Sequence, residues 1–272
     1  MNNVLSICAV ITARNEAHYL RVLLPLLARQ GIDVIVIDNE STDDSNDVYA
    51  RFQGNPLVHV ERIPFRGNYS LLQLLETRQA VYDRIDYDWI IHQDADEIME
   101  HARPGRTLRD AVQEADDDGY NVLNFDEFVF LPEPDADYSN KNYYKELLRY
   151  YFFEPGPNRL NRAWKQGLGF SNIAFGGHCL SGDQQLVSPN SLVLRHYIVL
   201  SYEYAKRKYL QRIYGEQEKG RGWHGNKLHF TEANLKIPQS SSFLFELDSF
   251  DSKGFRKDVA APKHYWEWET LE

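Results

Sequence analysis

Three apolar runs, each leading into a polar turn, constrain the fold of this 272-residue chain more than any other feature of its sequence. The runs are Val4–Thr12 (VLSICAVIT), Val34–Ile37 (VIVI) and Asp88–His92 (DWIIH), and the turns that follow them are ARNEA, DNESTDDS and DADE. A run of apolar, β-branched residues without polar alternation is typical of a strand that is buried on both faces of a parallel sheet. We therefore expect three strands of one parallel sheet, each ending in polar side chains.

Helical patterns separate these strands. Apolar residues recur at helical spacing in 17–30, where Gly31 predicts the stop, and again in 48–53 and 71–84, while residues 58–62 predict a further strand. Such alternation with short turns is typical of an α/β fold built on a doubly wound, mostly parallel sheet. These sheets bind ligands at the carboxyl ends of their strands, where the strand order reverses. We therefore expect the polar turns to form a ligand site.

The overall charge limits the partners. The formal net charge is −10 and the sequence pI is about 5.4, whereas a general nucleic-acid binder needs a basic face to meet phosphates. We predict no nucleic-acid partner, although a local basic pocket is compatible with an anionic substrate. The two cysteines, Cys8 and Cys179, indicate neither a disulfide framework nor a metal site.

The apolar runs are short. None approaches the roughly 20 residues of a membrane-spanning helix, and the first residues lack the basic segment of a signal peptide. We expect a cytoplasmic protein, with association to the cytoplasmic face of a membrane left open. The sequence makes no prediction for the oligomeric state.

The third polar turn carries the strongest chemical signal. In Trp89–Met99 (WIIHQDADEIM), the carboxylates of Asp94, Asp96 and Glu97 directly follow a strand that heads into the core. Burial of an unpaired carboxylate costs several kcal/mol. We therefore expect positive charge, from side chains or a cation, at the end of this strand.

These segments resemble a known family. VITARNEAHYL, VIVIDNESTDDS and WIIHQDADEIM are similar, in order and spacing, to family-two glycosyltransferases of the GT-A fold, of the bacterial surface-polysaccharide type. NSLVLRHYIVLSYEYAKRKY and the GGH at 176–178 are similar to segments of one bacterial subgroup. The resemblance covers about residues 4–210. It implies a GT-A domain over 1–237, with a nucleotide-binding half at about 1–100, a helical and aromatic acceptor-side half at about 101–237, and a C-terminal extension at 238–272.

The resemblance also implies a reaction. Members transfer a sugar from a nucleotide-diphosphate donor, and we expect an inverting enzyme that acts on a hydroxyl of a glycan or glycolipid. UDP is the favoured nucleotide, with dTDP and GDP open. A divalent cation, Mn²⁺ or Mg²⁺, is the expected cofactor, because hard cations take oxygen ligands and neutralise the departing diphosphate.

Donor-side residues follow from the matched motifs. Asp96 is the predicted metal ligand, Asp94 contacts the metal through water or binds the ribose, and His196 completes the metal site unless it is a core histidine. The residues predicted to bind the nucleotide are Arg14, Asn15, Glu16, Asp38, Asn39, Arg66, Asp94 and Lys206. For Asp38 the alternative is a cap of the next helix, and for Lys206 it is a solvated helix face.

The acceptor side is less constrained. An inverting transfer needs a carboxylate base near the acceptor hydroxyl, and the candidates are Glu127, then Asp183. Asp126 and His178 are predicted on the acceptor side, with His178 also a rival of His196 for the metal. Alternation along NVLNFDEFVF places Asp126 and Glu127 on opposite faces of a strand, so at most one of them faces the site.

The sequence makes predictions for three further segments. The aromatic residues of 138–170 fit an acceptor subsite or a small core equally well. Residues 201–217 predict a helix with Ser201 at its N-cap. The loop around His224 is interpreted as a surface loop, with closure over the donor as the alternative.

Two other functions share some of these features. A sugar-phosphate nucleotidyltransferase has a related fold and metal carboxylates, but it needs a glycine-rich N-terminal segment, and ITARNEA lacks glycine. A non-catalytic nucleotide- or carbohydrate-binding module needs no base, but retention of both Asp94 and Asp96 argues against it.

Overall fold

The computed structural model describes residues 4–156, 159–214 and 229–268. Within these ranges an eleven-stranded mixed sheet is covered by six helices. The strands are β1 (Ile7–Ala13), β2 (Asp33–Asp38), β3 (Leu57–Arg62), β4 (Trp89–Asp94), β5 (Glu97–Glu100), β6 (Val122–Phe130), β7 (Arg149–Phe153), β8 (Asn161–Lys165), β9 (Leu192–His196), β10 (Phe245–Glu246) and β11 (Ala260–Ala261). The helices are α1 (Ala17–Arg29), α2 (Ser45–Phe52), α3 (Leu71–Tyr82), α4 (Leu108–Asp117), α5 (Tyr143–Glu146) and α6 (Tyr202–Leu210).

The first four strands form the parallel region that the apolar runs predict. Their order is β3-β2-β1-β4, and every neighbouring pair is parallel. The chain first moves outward from β1 to β3 and then returns to the other side of β1 with β4, so the strand order reverses between β1 and β4. Thr12 and Asp94 are register partners at this reversal. The doubly wound α/β fold is confirmed, and its expected ligand crevice lies beside Asp94.

Helix boundaries follow the local signals. Helix α1 ends before Gly31, whose φ of +62° suits a residue without a Cβ atom. Helix α6 begins after Ser201, whose side chain accepts a hydrogen bond from the backbone N–H of Tyr204. The predicted helix was longer: α6 ends at Leu210, and residues 215–217 lie outside the described ranges.

Strand β6 joins the two parts of the sheet. Its first residues pair with β8, and its later residues lie between β7 and β9. The predicted alternation holds here, because Glu127 is buried while Asp126 contacts Lys257 at the surface. Strand β5, which the sequence did not predict, pairs antiparallel with β9 and places Glu97 opposite His196.

The aromatic segment serves the core. Among its members, Tyr143, Tyr150, Tyr151, Phe152 and Trp164 are all at most 3% exposed. The core interpretation therefore holds, and the acceptor-subsite alternative does not.

Residues after 237 pack on the same sheet. Strands β10 and β11 both pair with β7, and the Trp268 ring lies 4.8 Å from that of Tyr151. The aromatic residues near this end therefore contribute to a buried cluster. Among the described helices, none is both long and apolar enough to cross a membrane.

Candidate functional site

A cavity of about 730 Å³ opens where the strand order reverses. The carboxyl ends of β1 and β4, the start of α3 and the last turn of α6 contribute to its wall. The predicted site residues on the wall are Arg14, Asn15, Glu16, Asn39, Asp94, Asp96 and His196. Arg14 and His196 are 182 positions apart in the sequence, and the sheet brings these residues to one edge.

Arg14 is fixed by the turn after β2. Its guanidinium donates to the carbonyls of Asn39 (2.5 Å) and Glu40 (2.6 Å) and lies over the ring of Phe65, 3.5 Å from the centroid. Asn15 accepts a hydrogen bond from the backbone N–H of Thr42 at 2.7 Å. The first two polar turns therefore hold each other in place and form one end of the cavity.

Asp94 belongs to a cluster with two arginines, which we call the arginine cluster: Arg78, Asp94, Glu97 and Arg162. Arg78 donates to one oxygen of Asp94 at 2.7 Å, and Arg162 donates to the other at 3.2 Å and to Glu97 at 2.7 Å. Arg78 also donates to the hydroxyl of Thr12 and to the carbonyl of Gln93, each at 2.8 Å.

The arginine cluster supplies the positive charge expected beside the acidic turn. Burial raises the pKa of Asp94, but Arg78 and Arg162 more than offset it and lower that pKa below its usual value. Sequence reasoning missed Arg162. The signal that could have found Arg162 is its position in β8, where its neighbours Asn161 and Ala163 are also buried.

Asp96 belongs to a second group, the lysine–histidine cluster: Asp96, His196 and Lys208. The ammonium of Lys208 lies 2.7 Å from Oδ2 of Asp96 and 3.0 Å from the carbonyl of Ile198. Nε2 of His196 lies 3.5 Å from the same Oδ2. Although burial opposes it, Lys208 and His196 hold the pKa of Asp96 well below its usual value. Burial also lowers the pKa of His196, but Asp96 and Glu127 together raise it to about 10.

Lys208, and not Lys206, is the lysine of α6 that lines the cavity. Lys206 pairs with Glu203 at 2.7 Å and does not line the cavity. Successive helical residues are 100° apart, so positions 206 and 208 point in nearly opposite directions. Lys208 follows the buried Ala205 by three residues and therefore lies on the inner face of α6.

Asp38 and Arg66 do not line the cavity as the described residues form it. Asp38 is fully buried, and its carboxylate accepts hydrogen bonds from the Tyr49 hydroxyl (2.9 Å) and from Arg62 (3.2 Å). Its contacts therefore hold the end of β2 against α2 and β3. Arg66 is exposed, while its neighbour Gly67 contributes to the wall.

The predicted base candidates also lie off the cavity wall. Glu127 is 6% exposed and has both oxygens engaged, one by Nδ1 of His196 at 2.6 Å and the other by Arg159. Asp183 is exposed on a loop, and Asp126 pairs with Lys257. These positions argue against the predicted role of Glu127 as general base, because a group without access to the cavity cannot reach an acceptor hydroxyl.

The histidine predicted on the acceptor side lies off the cavity wall. His178 does not line the cavity, and it is exposed beside Phe175, whose carbonyl accepts a hydrogen bond from the His178 backbone N–H. The loop around His224 lies outside the described ranges.

Glu16 is the third carboxylate on the described wall. Burial raises its pKa to about 7, against the opposing charge of Lys208. The hydroxyl of Tyr204 lies 3.5 Å from its Oε2. Glu16 is therefore able to exchange a proton near neutral pH.

The donor atoms of Asp96 and His196 suit a cation whose remaining ligands come from a substrate and water. No group of three or more His, Cys, Asp or Glu side chains within the described ranges could hold a metal ion alone. Asp96 and His196 supply one oxygen and one nitrogen 3.5 Å apart, and Mg²⁺ or Mn²⁺ commonly takes few protein ligands, with phosphates and water filling the rest. A cation there would compete with Lys208 for Asp96 and with the proton on His196.

Comparison with solved structures finds similar chains. They include S. aureus TarS (14% identity, TM-score 0.46, 85% of this chain and 42% of that chain). They also include TarS 1–349 in complex with UDP and in complex with UDP-GlcNAc, each at 14% identity and TM-score 0.46, covering 86% of this chain. The chain spans 75% and 76% of those two chains, respectively. No curated protein sequence matches this chain.

The sequence profile of a protein family matches residues 8–174, which include all of β1 except Ile7, strands β2 to β4 and the acidic turn. Its description is glycosyl transferase family 2. Because the match covers more than half of the chain, the chain belongs to glycosyl transferase family 2 and is a glycosyltransferase with the GT-A fold.

Proposed function

We propose that this enzyme transfers a sugar from a nucleotide-diphosphate donor, UDP favoured, to a hydroxyl of a glycan or glycolipid with inversion at the sugar carbon. The observation that carries the proposal is the meeting of Asp96, His196 and Lys208 on one cavity wall at the carboxyl edge of the sheet. Family membership favours this activity over nucleotidyl transfer and over a non-catalytic binding module.

The leaving diphosphate carries about two negative charges that must be stabilised as the glycosidic bond breaks. A divalent cation, Mn²⁺ or Mg²⁺, would be held by Asp96 and His196 and would supply positive charge to the diphosphate oxygens. Arg207, Lys208 and Arg212 line the same cavity and add positive charge on the α6 side. Asp94, which two arginines hold, would accept a hydrogen bond from a ribose hydroxyl.

The acceptor hydroxyl must lose a proton during an inverting transfer. Of the three carboxylates on the described wall, Asp94 and Asp96 have lowered pKa values, whereas the pKa of Glu16 is about 7. We therefore assign the proton acceptor to Glu16. A cytoplasmic reaction, at the membrane surface for a lipid-linked acceptor, is the corresponding setting.

The first experiment is calorimetric titration of UDP, GDP and dTDP, with and without Mn²⁺, into the wild-type protein and the Asp96→Ala variant. Asp183→Ala is the matched control, because Asp183 is an exposed carboxylate outside the cavity. We expect metal-dependent binding of UDP that Asp96→Ala loses and Asp183→Ala retains. If none of the three nucleotides binds under either condition, the proposed donor site is wrong.

A further inference from the structure

Glu127 lies directly behind His196. Strands β6 and β9 are parallel neighbours, in which Glu127 is the register partner of Leu194 and Val129 that of His196. Oε1 of Glu127 lies 2.6 Å from Nδ1 of His196, while Nε2 on the other side of the ring lies 3.5 Å from Asp96. The imidazole therefore bridges a buried carboxylate and a carboxylate on the cavity wall.

The contacts and burial of Glu127 hold its side chain in place. Its second oxygen pairs with Arg159, whose guanidinium lies 4.8 Å from the ring centroid of Phe153. The side chain is 6% exposed, and no part of it lines the described cavity. Glu127 can therefore act on the reaction only through His196.

We propose that Glu127 is a positioning residue, which accepts a hydrogen bond from Nδ1–H of His196 and so presents the Nε2 lone pair to a divalent cation shared with Asp96. A histidine that binds a metal usually donates its other N–H to a carboxylate or carbonyl, which fixes the tautomer and the ring orientation. This role rests on the proposed metal-dependent function, and it replaces the role of general base that the sequence suggested for Glu127.

The test measures Mn²⁺ affinity in the presence of UDP, by electron paramagnetic resonance of the unbound ion. We expect Glu127→Ala to weaken Mn²⁺ binding about 10- to 100-fold. Glu127→Gln keeps an oxygen that accepts from Nδ1–H and should show a smaller loss. Asp126→Asn is the matched control, since Asp126 is the adjacent carboxylate on the opposite face of β6, and it should bind Mn²⁺ like the wild type.

A second readout separates positioning from a general loss of structure. UDP should bind more weakly in metal-free buffer than with Mn²⁺, and that residual affinity should be the same for Glu127→Gln and the wild type, because Glu127 does not line the cavity. If Glu127→Ala fails to fold, the near-isosteric Glu127→Gln carries the test, with a loss of at least threefold in Mn²⁺ affinity expected.

The outcomes distinguish the two proposals. Wild-type Mn²⁺ affinity in Glu127→Gln and in any folded Glu127→Ala would overturn the positioning role and leave the metal site intact. Absence of Mn²⁺ binding to the wild-type protein with UDP would instead overturn the metal-dependent function, and the role of Glu127 with it.

Discussion

Asp94 and Asp96 lie two residues apart on the same cavity wall, but different cations hold them. In the arginine cluster, both oxygens of Asp94 are engaged by guanidinium groups that also bind a hydroxyl, a carbonyl or a second carboxylate. In the lysine–histidine cluster, Lys208 and His196 both contact a single oxygen of Asp96. Both oxygens of Asp94 are therefore engaged, whereas Asp96 keeps one oxygen that these contacts do not use.

The chemistry of the partners explains the difference. A guanidinium is planar, always charged and able to bind several acceptors in fixed directions, whereas an ammonium is a flexible point charge. Imidazolium can also lose its proton to solvent and bind a metal through the freed nitrogen lone pair. We infer that the arginine cluster keeps the turn after β4 in shape, while the lysine–histidine cluster can exchange its cations when substrate binds.

The largest expected effect concerns Asp96. Asp96→Asn removes the charge that would hold a cation and Lys208 beside the diphosphate, and we expect a loss of about 10³-fold in kcat, in the range seen when preorganised electrostatic stabilisation is removed. Release of UDP from a UDP-sugar is the measurement, and Asp183→Asn is the control. A loss smaller than tenfold would place the exchangeable site elsewhere.

Glu16 extends the comparison to a carboxylate whose burial outweighs the nearby charges of Lys208 and Arg212. Its pKa is raised to about 7, so the folded state binds a proton more tightly than the unfolded state, and stability falls as pH rises from about 4.5 to about 7. Glu16→Gln should remove that fall. At about 1.4 kcal/mol per pKa unit, the variant should be more stable than the wild type by about 3 kcal/mol above pH 7.

Urea unfolding at pH 4.5 and pH 8 measures this difference, which should vanish at the lower pH. Glu203→Gln is the control, because Glu203 is an exposed carboxylate with a lysine partner. Parallel stability curves for the wild type and Glu16→Gln would show that Glu16 is ionised at neutral pH and unsuited to accept the proton.

For Asp94 the expected effect is on stability. Removing one member of a buried ion pair costs about 3–5 kcal/mol, but the Asp94 side chain is 36% exposed, so solvent screening reduces the cost and we expect about 2 kcal/mol for Asp94→Asn. Denaturant unfolding measures this cost, with Asp183→Asn as the control, because Asp183 is an exposed carboxylate on a loop. Equal unfolding free energies for Asp94→Asn and that control would contradict the structural role of the arginine cluster.

The smallest expected effect is on UDP binding, and it distinguishes two lysines of α6. Lys208→Met should weaken UDP binding about tenfold, or 1.4 kcal/mol, because Lys208 is the cavity-facing cation beside Asp96. Lys206→Met is the matched variant and should bind UDP as the wild type does. Equal losses in the two variants would mean that α6 contributes only through its overall charge.

Local patterns predicted the parallel strands well. Strands β1, β2 and β4 are buried on both faces, and such strands are marked by continuous apolar runs. Strand β5 could not be predicted in this way. Its sequence, EIME, has no strand signal of its own, and it becomes a strand because β9 pairs with it from almost a hundred residues away.

The site residues show the same contrast between features that local patterns predict and features that depend on the folded structure. The first two turns and the acidic turn were predicted at the cavity because each ends a recognisable strand. Glu127 and Lys206 do not line the described cavity, because burial and helix phase decide which side chain reaches the wall. For Lys206 the signal was available: the apolar stripe through Ala205 and Tyr209 puts position 208 on the inner side of the helix.

The separation of the two clusters along the chain has a consequence during synthesis. Arg78 is 16 residues before Asp94, whereas Lys208 is 112 residues after Asp96. At about 5–20 residues per second, the ribosome adds Lys208 roughly 5–20 s after Asp96. Arg78 can therefore pair with Asp94 as soon as β4 emerges, whereas Lys208 can reach Asp96 only when α6 has been made. Assembly of the lysine–histidine cluster is then a late event that follows synthesis of β1 to β9 and precedes the addition of β10 and β11 to the sheet.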